Sequence, residues 1–175
     1  MNSENPKIIV RFALVAEQPS LRDEERLSHI SSENSIAGIK RYTGFVRGRD
    51  LFPLFDHGSL EANPRAAKTG SVTRGILESL EKTPELFPFK SKGILLGTSD
   101  YEALQRNRFE LRFNEPASEG ILDGGHNMLA IGIYMLSKVM EDSEVGKISL
   151  WEEMKDAWDE NRAELDEVKE AFDFL

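Results

Sequence analysis

The spacing of apolar residues predicts several short strands. Stretches that are rich in β-branched or aromatic residues, or that alternate in polarity, lie at 7–15, 92–98, 108–113 and 120–122. In the third stretch Phe109, Leu111 and Phe113 occupy every second position, as in a strand with one buried face. The polar segment 17–34 is expected to be a loop with a short helical turn.

Two further segments have helical spacing. The first, from 71 to 82, carries four apolar residues on one face: Val72, Ile76, Leu77 and Leu80. Ser71 is suited to cap its start, and Pro84 marks its end. The second, from about His126 to Glu141, is apolar nearly all round and is expected to be covered on several sides. Together these elements predict an α+β or α/β domain, with a small mixed sheet covered by helices.

The last segment, from about Ser149 to Phe172, predicts one long acidic helix. Residues at alternating steps of three and four form a heptad-like stripe with one polar interruption: Trp151, Met154, Trp158, Asn161, Leu165, Val168 and Phe172. Such a stripe needs a partner, which is the rest of the domain, a second copy or another protein segment. We therefore predict an α+β domain over 1–148 and an amphipathic helix over 149–175 that continues beyond Leu175 in a longer protein, with a protein partner or self-association through this helix.

Charge is unevenly distributed along the 175 residues. The net charge is −9, and the segment 151–175 holds ten acids and three bases, hence net −7. The remaining residues are close to neutral, which leaves room for a local basic site. The balance argues against a protein that coats DNA regardless of sequence, because such binding needs many phosphate contacts.

Composition excludes several kinds of chemistry. The chain has no cysteine, which excludes disulfides, zinc–thiolate sites and cysteine nucleophiles and agrees with the cytoplasmic location that we expect. No apolar window reaches the roughly 18 residues that a membrane span requires, so we expect no membrane partner.

A glycine-rich turn lies between the strand at 120–122 and the apolar helix. It consists of Asp123, Gly124, Gly125 and His126, and Asn127 follows. Glycines can adopt positive φ, and the first N–H groups of a helix lack partners and attract anions such as phosphate. Asp123 can orient His126, bind a metal or accept backbone hydrogen bonds. The competing interpretation is an ordinary turn that only permits tight packing.

Other polar residues are candidates for the same site. Arg65, after Asn63 and Pro64, can hold a phosphate bidentately or can be a solvated residue of a turn. Lys92 at a strand end offers a further cation, although a solvated strand end is the better explanation of this residue. The sequence identifies no cofactor, and a divalent metal is a candidate. Asp123 and His126 have suitable spacing, but no third ligand is evident, and His29 and His57 are far apart in sequence.

The stretch GILDGGHNMLAI resembles the Asp-Gly-Gln-His-Arg motif of the DGQHR-domain proteins, which are similar to the ParB/sulfiredoxin superfamily. In that superfamily a glycine-rich loop that opens a helix binds nucleotide phosphates. The order of motifs over residues 54–136 also resembles the abortive-infection phage-resistance (AIPR) family. The corresponding residues are Asn63-Pro64-Arg65, the helix from Ser71, Phe87, Gly93-Ile94 and Gly124-Gly125-His126.

The resemblance implies a bacterial phage-defence protein that binds nucleic acid or nucleotide phosphate. The implied binding residues are Gly124, Gly125, Asn127, Asn63, Arg65 and Lys92. If the protein is an enzyme, the implied reaction is phosphodiester or nucleotide hydrolysis, with His126 as general acid or base and Asp123 as its orienter or a metal ligand. Asn127 replaces the arginine of the DGQHR motif, which removes one phosphate partner. The alternative is a non-catalytic regulatory or interaction module in which the turn is purely structural.

Overall fold

The computed structural model describes residues 6–18 and 40–174, which combine short helices with short strands. The strands are β1 (Lys7–Arg11), β2 (Leu14–Gln18), β3 (Arg41–Phe45), β4 (Leu95–Gly97), β5 (Asp100–Leu104), β6 (Arg108–Arg112) and β7 (Gly120–Asp123). The helices are α1 (Phe52–His57), α2 (Ser71–Lys82), α3 (Phe87–Lys90), α4 (Gly125–Leu136), α5 (Asp142–Val145), α6 (Trp151–Glu160) and α7 (Arg162–Val168). Short 3₁₀ turns cover Gly48–Leu51, Pro84–Leu86 and Lys169–Ala171.

These elements confirm the α+β class. Of the expected loop over 17–34, Glu17 and Gln18 instead end strand β2. The rest of that segment, including His29, lies outside the described residues. None of the described helices combines the length and hydropathy that crossing a membrane would require.

The strands of the described residues form three antiparallel sheets, whereas the sequence pattern predicts one mixed sheet. Their orders are β1-β6-β5, β2-β3 and β4-β7. The predicted strand over 7–15 divides because its backbone changes partner. Phe12 N–H donates to the carbonyl of Asn107 at 2.9 Å, whereas Ala13 N–H donates to that of Phe45 at 2.8 Å. One β-favouring stretch therefore contributes to two sheets.

Helix α4 forms the centre of the core. Met128, Leu129, Met135 and Leu136 are fully buried, as its nearly continuous apolar sequence predicted. Helices α2 and α6 pack against it. The absence of a side chain at Gly132 makes room for Met154 of α6, since a Cβ there would lie 2.5 Å from the Met154 sulfur. The helix ends at Leu136, and tighter turns replace the predicted extension to Glu141.

The apolar stripe of the C-terminal segment is buried against the rest of the chain. Trp158, Met154 and Leu165 are fully buried, and Phe52 of α1 contacts Trp158 edge-to-face at 4.9 Å. The single long helix that we expected is instead α6, α7 and a 3₁₀ turn, with the junction at Asn161. The Asn161 side chain donates to the Ala157 carbonyl at 2.9 Å, and such side-chain competition for a backbone acceptor disturbs a helix.

Glu119 is a buried carboxylate that joins two loops. It accepts hydrogen bonds from the Ser99 hydroxyl at 2.5 Å, from Ser99 N–H at 2.9 Å and from Asn114 N–H at 2.6 Å. The Ser99 hydroxyl and these backbone donors lower the pKa of Glu119 below its ordinary value. The carboxylate thereby fixes the entry to β5 against the segment that leads to β7.

We expect Glu119→Gln to lower the free energy of unfolding at pH 7 by about 1 to 3 kcal/mol, because buried N–H groups lose a charged acceptor. A lowered pKa in the folded state gives stability that is present above the unfolded pKa and lost as pH falls through the folded value. The wild type should therefore lose more stability than the variant on acidification below about pH 4.5. Urea unfolding at several pH values measures this difference. The exposed Glu102→Gln is the control, and equal pH dependence in both variants would contradict the assignment.

Candidate functional site

The turn before α4 depends on a left-handed glycine. Gly124 occupies the N-cap of α4 with φ 89° and ψ 15°. A Cβ at this position would lie 2.6 Å from the Gly93 carbonyl oxygen and 2.8 Å from the Ile94 Cα. The residue must therefore be glycine both for its backbone conformation and for the close approach of the chain that enters β4.

Three segments that are far apart in sequence meet at this turn. The Asn127 side chain donates a hydrogen bond to the Gly93 carbonyl at 2.7 Å. On the other side, the Asn63 side-chain nitrogen lies 3.1 Å from the position that a Cβ of Gly125 would occupy. The residues that the sequence analysis selected at 63, 92–93 and 123–127 are therefore neighbours in the fold.

The two candidate cations are exposed near the same turn. Arg65 N–H donates to the Asn63 side-chain oxygen at 3.0 Å, which closes a short turn and leaves the guanidinium exposed. Lys92 is exposed and directly precedes Gly93. Neither Arg65 nor Lys92 forms an ion pair with another residue within 6–18 and 40–174.

Asp123 accepts a backbone hydrogen bond, which is one of the three roles that its sequence position allowed. Its carboxylate accepts the N–H of Gly124 at 2.7 Å and is otherwise exposed. The His126 side chain is partly exposed and makes no hydrogen bond with Asp123 or any other described residue. The ring is therefore available for a ligand, but it is not oriented by the neighbouring carboxylate.

The first amides of α4 are less open than the motif alone suggests. Gly124 N–H already has an acceptor, and Gly125 is buried next to Asn63 and Ala67. Asn127 is 8% exposed, and its side-chain nitrogen is committed to Gly93. His126 is partly exposed and Arg65 and Lys92 are exposed, so these are the polar residues of the meeting segments that remain open to a ligand.

In the described part of the chain, acidic and histidine side chains do not gather around a potential metal position. Among residues 6–18 and 40–174, no three His, Asp or Glu side chains form a cluster that could hold a metal ion. Asp123 and His126 keep their favourable spacing but gain no third ligand from the residues that the structure describes. A metal at this turn would need ligands from a substrate or from outside the described part of the chain.

A polar cluster around Asp56 was not predicted from the sequence. Its carboxylate accepts hydrogen bonds from Trp158 Nε1 at 2.8 Å and from Arg162 Nε at 2.8 Å, with a second Arg162 contact at 3.2 Å. The Asp56 carboxylate raises the pKa of Arg162. In the sequence, Asp56-His57-Gly58 resembles a loop, and only the four-residue spacing of Trp158 and Arg162 indicated a shared helical face. The cluster joins α1 to α6 and α7.

The fold and the turn define an α+β protein in which a left-handed glycine opens a buried central helix. Comparisons with protein-family models, with curated proteins and with solved structures found no match. The AIPR and DGQHR resemblances therefore stay predictions that depend on the motifs themselves.

Proposed function

We propose that the protein binds the phosphate of a nucleotide or nucleic acid at the outer side of the turn before α4, in a phage-defence role of the kind that the AIPR resemblance implies. The observation that carries this proposal is the meeting of the segments at 63, 92–93 and 123–127. Asn63, Arg65, Lys92 and His126 belong to these segments and carry donors and cations of the kind that phosphate recognition requires.

Binding has more support than catalysis at this site. A general acid or base is most effective when a neighbour fixes its orientation, and Asp123 instead accepts the N–H of Gly124. Phosphodiester or nucleotide hydrolysis by His126 would need a ligand-dependent rearrangement of Asp123 or a metal supplied with the substrate. Phosphate binding requires neither change.

The alternative function is a non-catalytic regulatory or interaction module. The hydrogen bonds of Asp123 and Asn127 favour it, since both give the turn a structural purpose. The apolar stripe of the C-terminal segment does not need a protein partner to cover it, because Trp151, Trp158 and Leu165 are buried inside the chain. The two functions thus differ in what happens when His126 is removed.

We expect nucleotides or short oligonucleotides to raise the melting temperature of the wild-type protein, because a ligand that binds only the folded state stabilises it. His126→Ala should weaken the affinity by about tenfold, the loss of one hydrogen bond to a charged group. Thermal-shift titration measures both effects. The matched control is His57→Ala, which removes an exposed histidine at the end of α1.

Two outcomes would count against phosphate binding at the turn. Either the wild type gains no stability from any nucleotide or oligonucleotide, or His126→Ala and His57→Ala respond to the ligand equally. A ligand-free His126→Ala that melts well below the wild type would assign the ring to packing and favour the structural alternative.

A further inference from the structure

A second cluster of cations lines a cleft elsewhere in the described residues. The cleft has a volume of about 240 Å³ and lies between the ends of β1 and β6, the 3₁₀ turn at 48–51 and the C-terminal 3₁₀ turn. We call it the basic cleft, and its charged lining residues are Arg11, Arg49, Asp50, Arg108 and Lys169. Ile9 and Pro53 form an apolar wall. A cleft with four bases and one acid is unexpected in a chain of net charge −9.

The charge pattern on the outer face of the β1-β6-β5 sheet shows why this cleft is unusual. Along most of that face opposite charges are paired: Glu110 contacts Lys7 at 3.4 Å and also contacts Arg112, which contacts Asp100 at 3.0 Å. Like charges are opposite one another at both ends of the β1-β6 register, Lys7 with Arg112 and Arg11 with Arg108. Among the described residues, Glu110 contacts both members of the first pair, and no acid contacts the second.

The two opposed arginines have no acidic partner in the part of the chain that the structure describes. Within residues 6–18 and 40–174, neither Arg11 nor Arg108 forms an ion pair, and Arg108 donates only to the Gln105 carbonyl at 3.1 Å. Like charges opposite one another on adjacent strands are destabilising. An anion between them would remove that repulsion, and arginine forks bind phosphate oxygens in pairs.

The far side of the basic cleft is held in place by the C-terminal segment. Gly48 N–H donates to the Phe174 carbonyl at 2.8 Å, and Arg49 N–H donates to the Phe172 carbonyl at 2.9 Å. The Arg49 guanidinium contacts Glu170 at 3.2 Å and Asp173 at 3.0 Å, so its charge is largely balanced. These contacts hold the Arg49 side of the cleft in place. The unbalanced positive charges of the lining are those of Arg11, Arg108 and Lys169.

Lys169 completes the cationic lining. Its ammonium lies 4.8 Å from the centre of the Phe52 ring, and it forms no ion pair among the described residues. Cation–π contact holds the side chain without neutralising it. Among the lining residues that form no ion pair in the described part of the chain, Arg11, Arg108 and Lys169 therefore outnumber Asp50.

We propose that the basic cleft is a binding site for a small phosphorylated molecule with a terminal phosphate or diphosphate group. The unpaired arginines and Lys169 would hold the phosphate, and Ile9 and Pro53 would contact an apolar part of the ligand. The volume, below the usual range of about 300–1,000 Å³ for drug-sized ligands, suits a compact ligand. This site is separate from the turn before α4, and the inference does not depend on the function proposed there.

Calorimetric titration of the full chain at constant ionic strength tests the proposal. The probes are inorganic phosphate, pyrophosphate, ATP and a short oligonucleotide without terminal phosphates. We expect saturable binding of at least one small phosphate compound, and about tenfold weaker binding in Arg11→Gln and in Arg108→Gln, each of which removes a charge-assisted contact. Arg74→Gln, an exposed arginine of α2, is the matched control.

A second measurement separates a binding role from a structural one. Arg11→Gln relieves the repulsion from Arg108, so its melting temperature without ligand should equal or exceed that of the wild type. A lower melting temperature would overturn the proposal. The proposal would also be overturned if only the oligonucleotide bound, if no small phosphate compound bound, or if only His126→Ala weakened the binding. His126→Ala should leave binding at this cleft unchanged. Failure of the present proposal can therefore be distinguished from failure of the function proposed for the turn.

Discussion

Gly124→Ala should lower the free energy of unfolding by about 3 kcal/mol or more. A left-handed conformation costs an alanine roughly 1–2 kcal/mol, and the added Cβ would lie 2.6 Å from the Gly93 carbonyl oxygen. That neighbour is backbone and cannot turn aside, so overpacking adds about 1–3 kcal/mol. In a protein of this size the loss corresponds to a decrease of roughly 6 to 12 °C in melting temperature, measured by thermal or urea unfolding.

Gly75→Ala is the matched control and should have the opposite sign. Gly75 lies in α2, where an added Cβ would have no atom within 4 Å, and a helical glycine is about 0.5–1 kcal/mol less favourable than alanine. If Gly124→Ala were as stable as the wild type, the turn and the strand entry at Gly93 would have to move apart easily. The proximity of the segments at the turn would then be too loose to position a phosphate.

The strongest elements of the fold were predictable because their signals are local. Helix α2 spans 71–82 as expected, and the apolar stretch after Gly125 became the central buried helix. The start of α2 differs in detail, since Gly70 rather than Ser71 occupies the N-cap. Periodicity over three turns determines a helix well, whereas the capping residue depends on how the preceding chain arrives.

Strand pairing was harder to predict because it depends on distant residues. The stretch from Lys7 to Val15 has uniform β-propensity, yet its first half pairs with β6 and its second half with β3. Strand β5 was missed because Asp100 and Glu102 are unusual in strands. It forms as the hairpin partner of β6, through a turn in which Arg106 and Asn107 have positive φ. Tertiary context overrides propensity in both cases.

The candidate site was predictable only in part. The sequence identified Asn63, Gly124 and Asn127 as belonging together, and the fold makes them neighbours. It did not indicate that the Asn127 amide would be used to hold Gly93, or that Asp123 would accept a backbone N–H. A motif fixes which residues approach one another, but the hydrogen-bond partner of each polar group is decided by the surrounding chain.

The Asp56 cluster leads to the second large prediction. Asp56→Ala should lower the free energy of unfolding by about 2 to 3 kcal/mol, because it leaves Arg162 and the Trp158 N–H without their acceptor. The value is at the low end for a broken buried pair, since the Asp56 and Arg162 side chains remain 24% and 31% exposed. Urea unfolding followed by tryptophan fluorescence measures it, because Trp158 lies inside the cluster.

An ion pair within α6, the helix that carries Trp158, provides the control. Asp159→Ala removes a contact to Lys155 at 3.6 Å, where the aspartate side chain is 67% exposed, and should cost less than about 0.5 kcal/mol. Arg162→Met in the Asp56→Ala background should then cost less than Arg162→Met alone, because the charge it removes has already lost its partner. Additive effects of the two substitutions, or equal costs for Asp56→Ala and Asp159→Ala, would mean that the cluster does not join α1 to the C-terminal helices energetically.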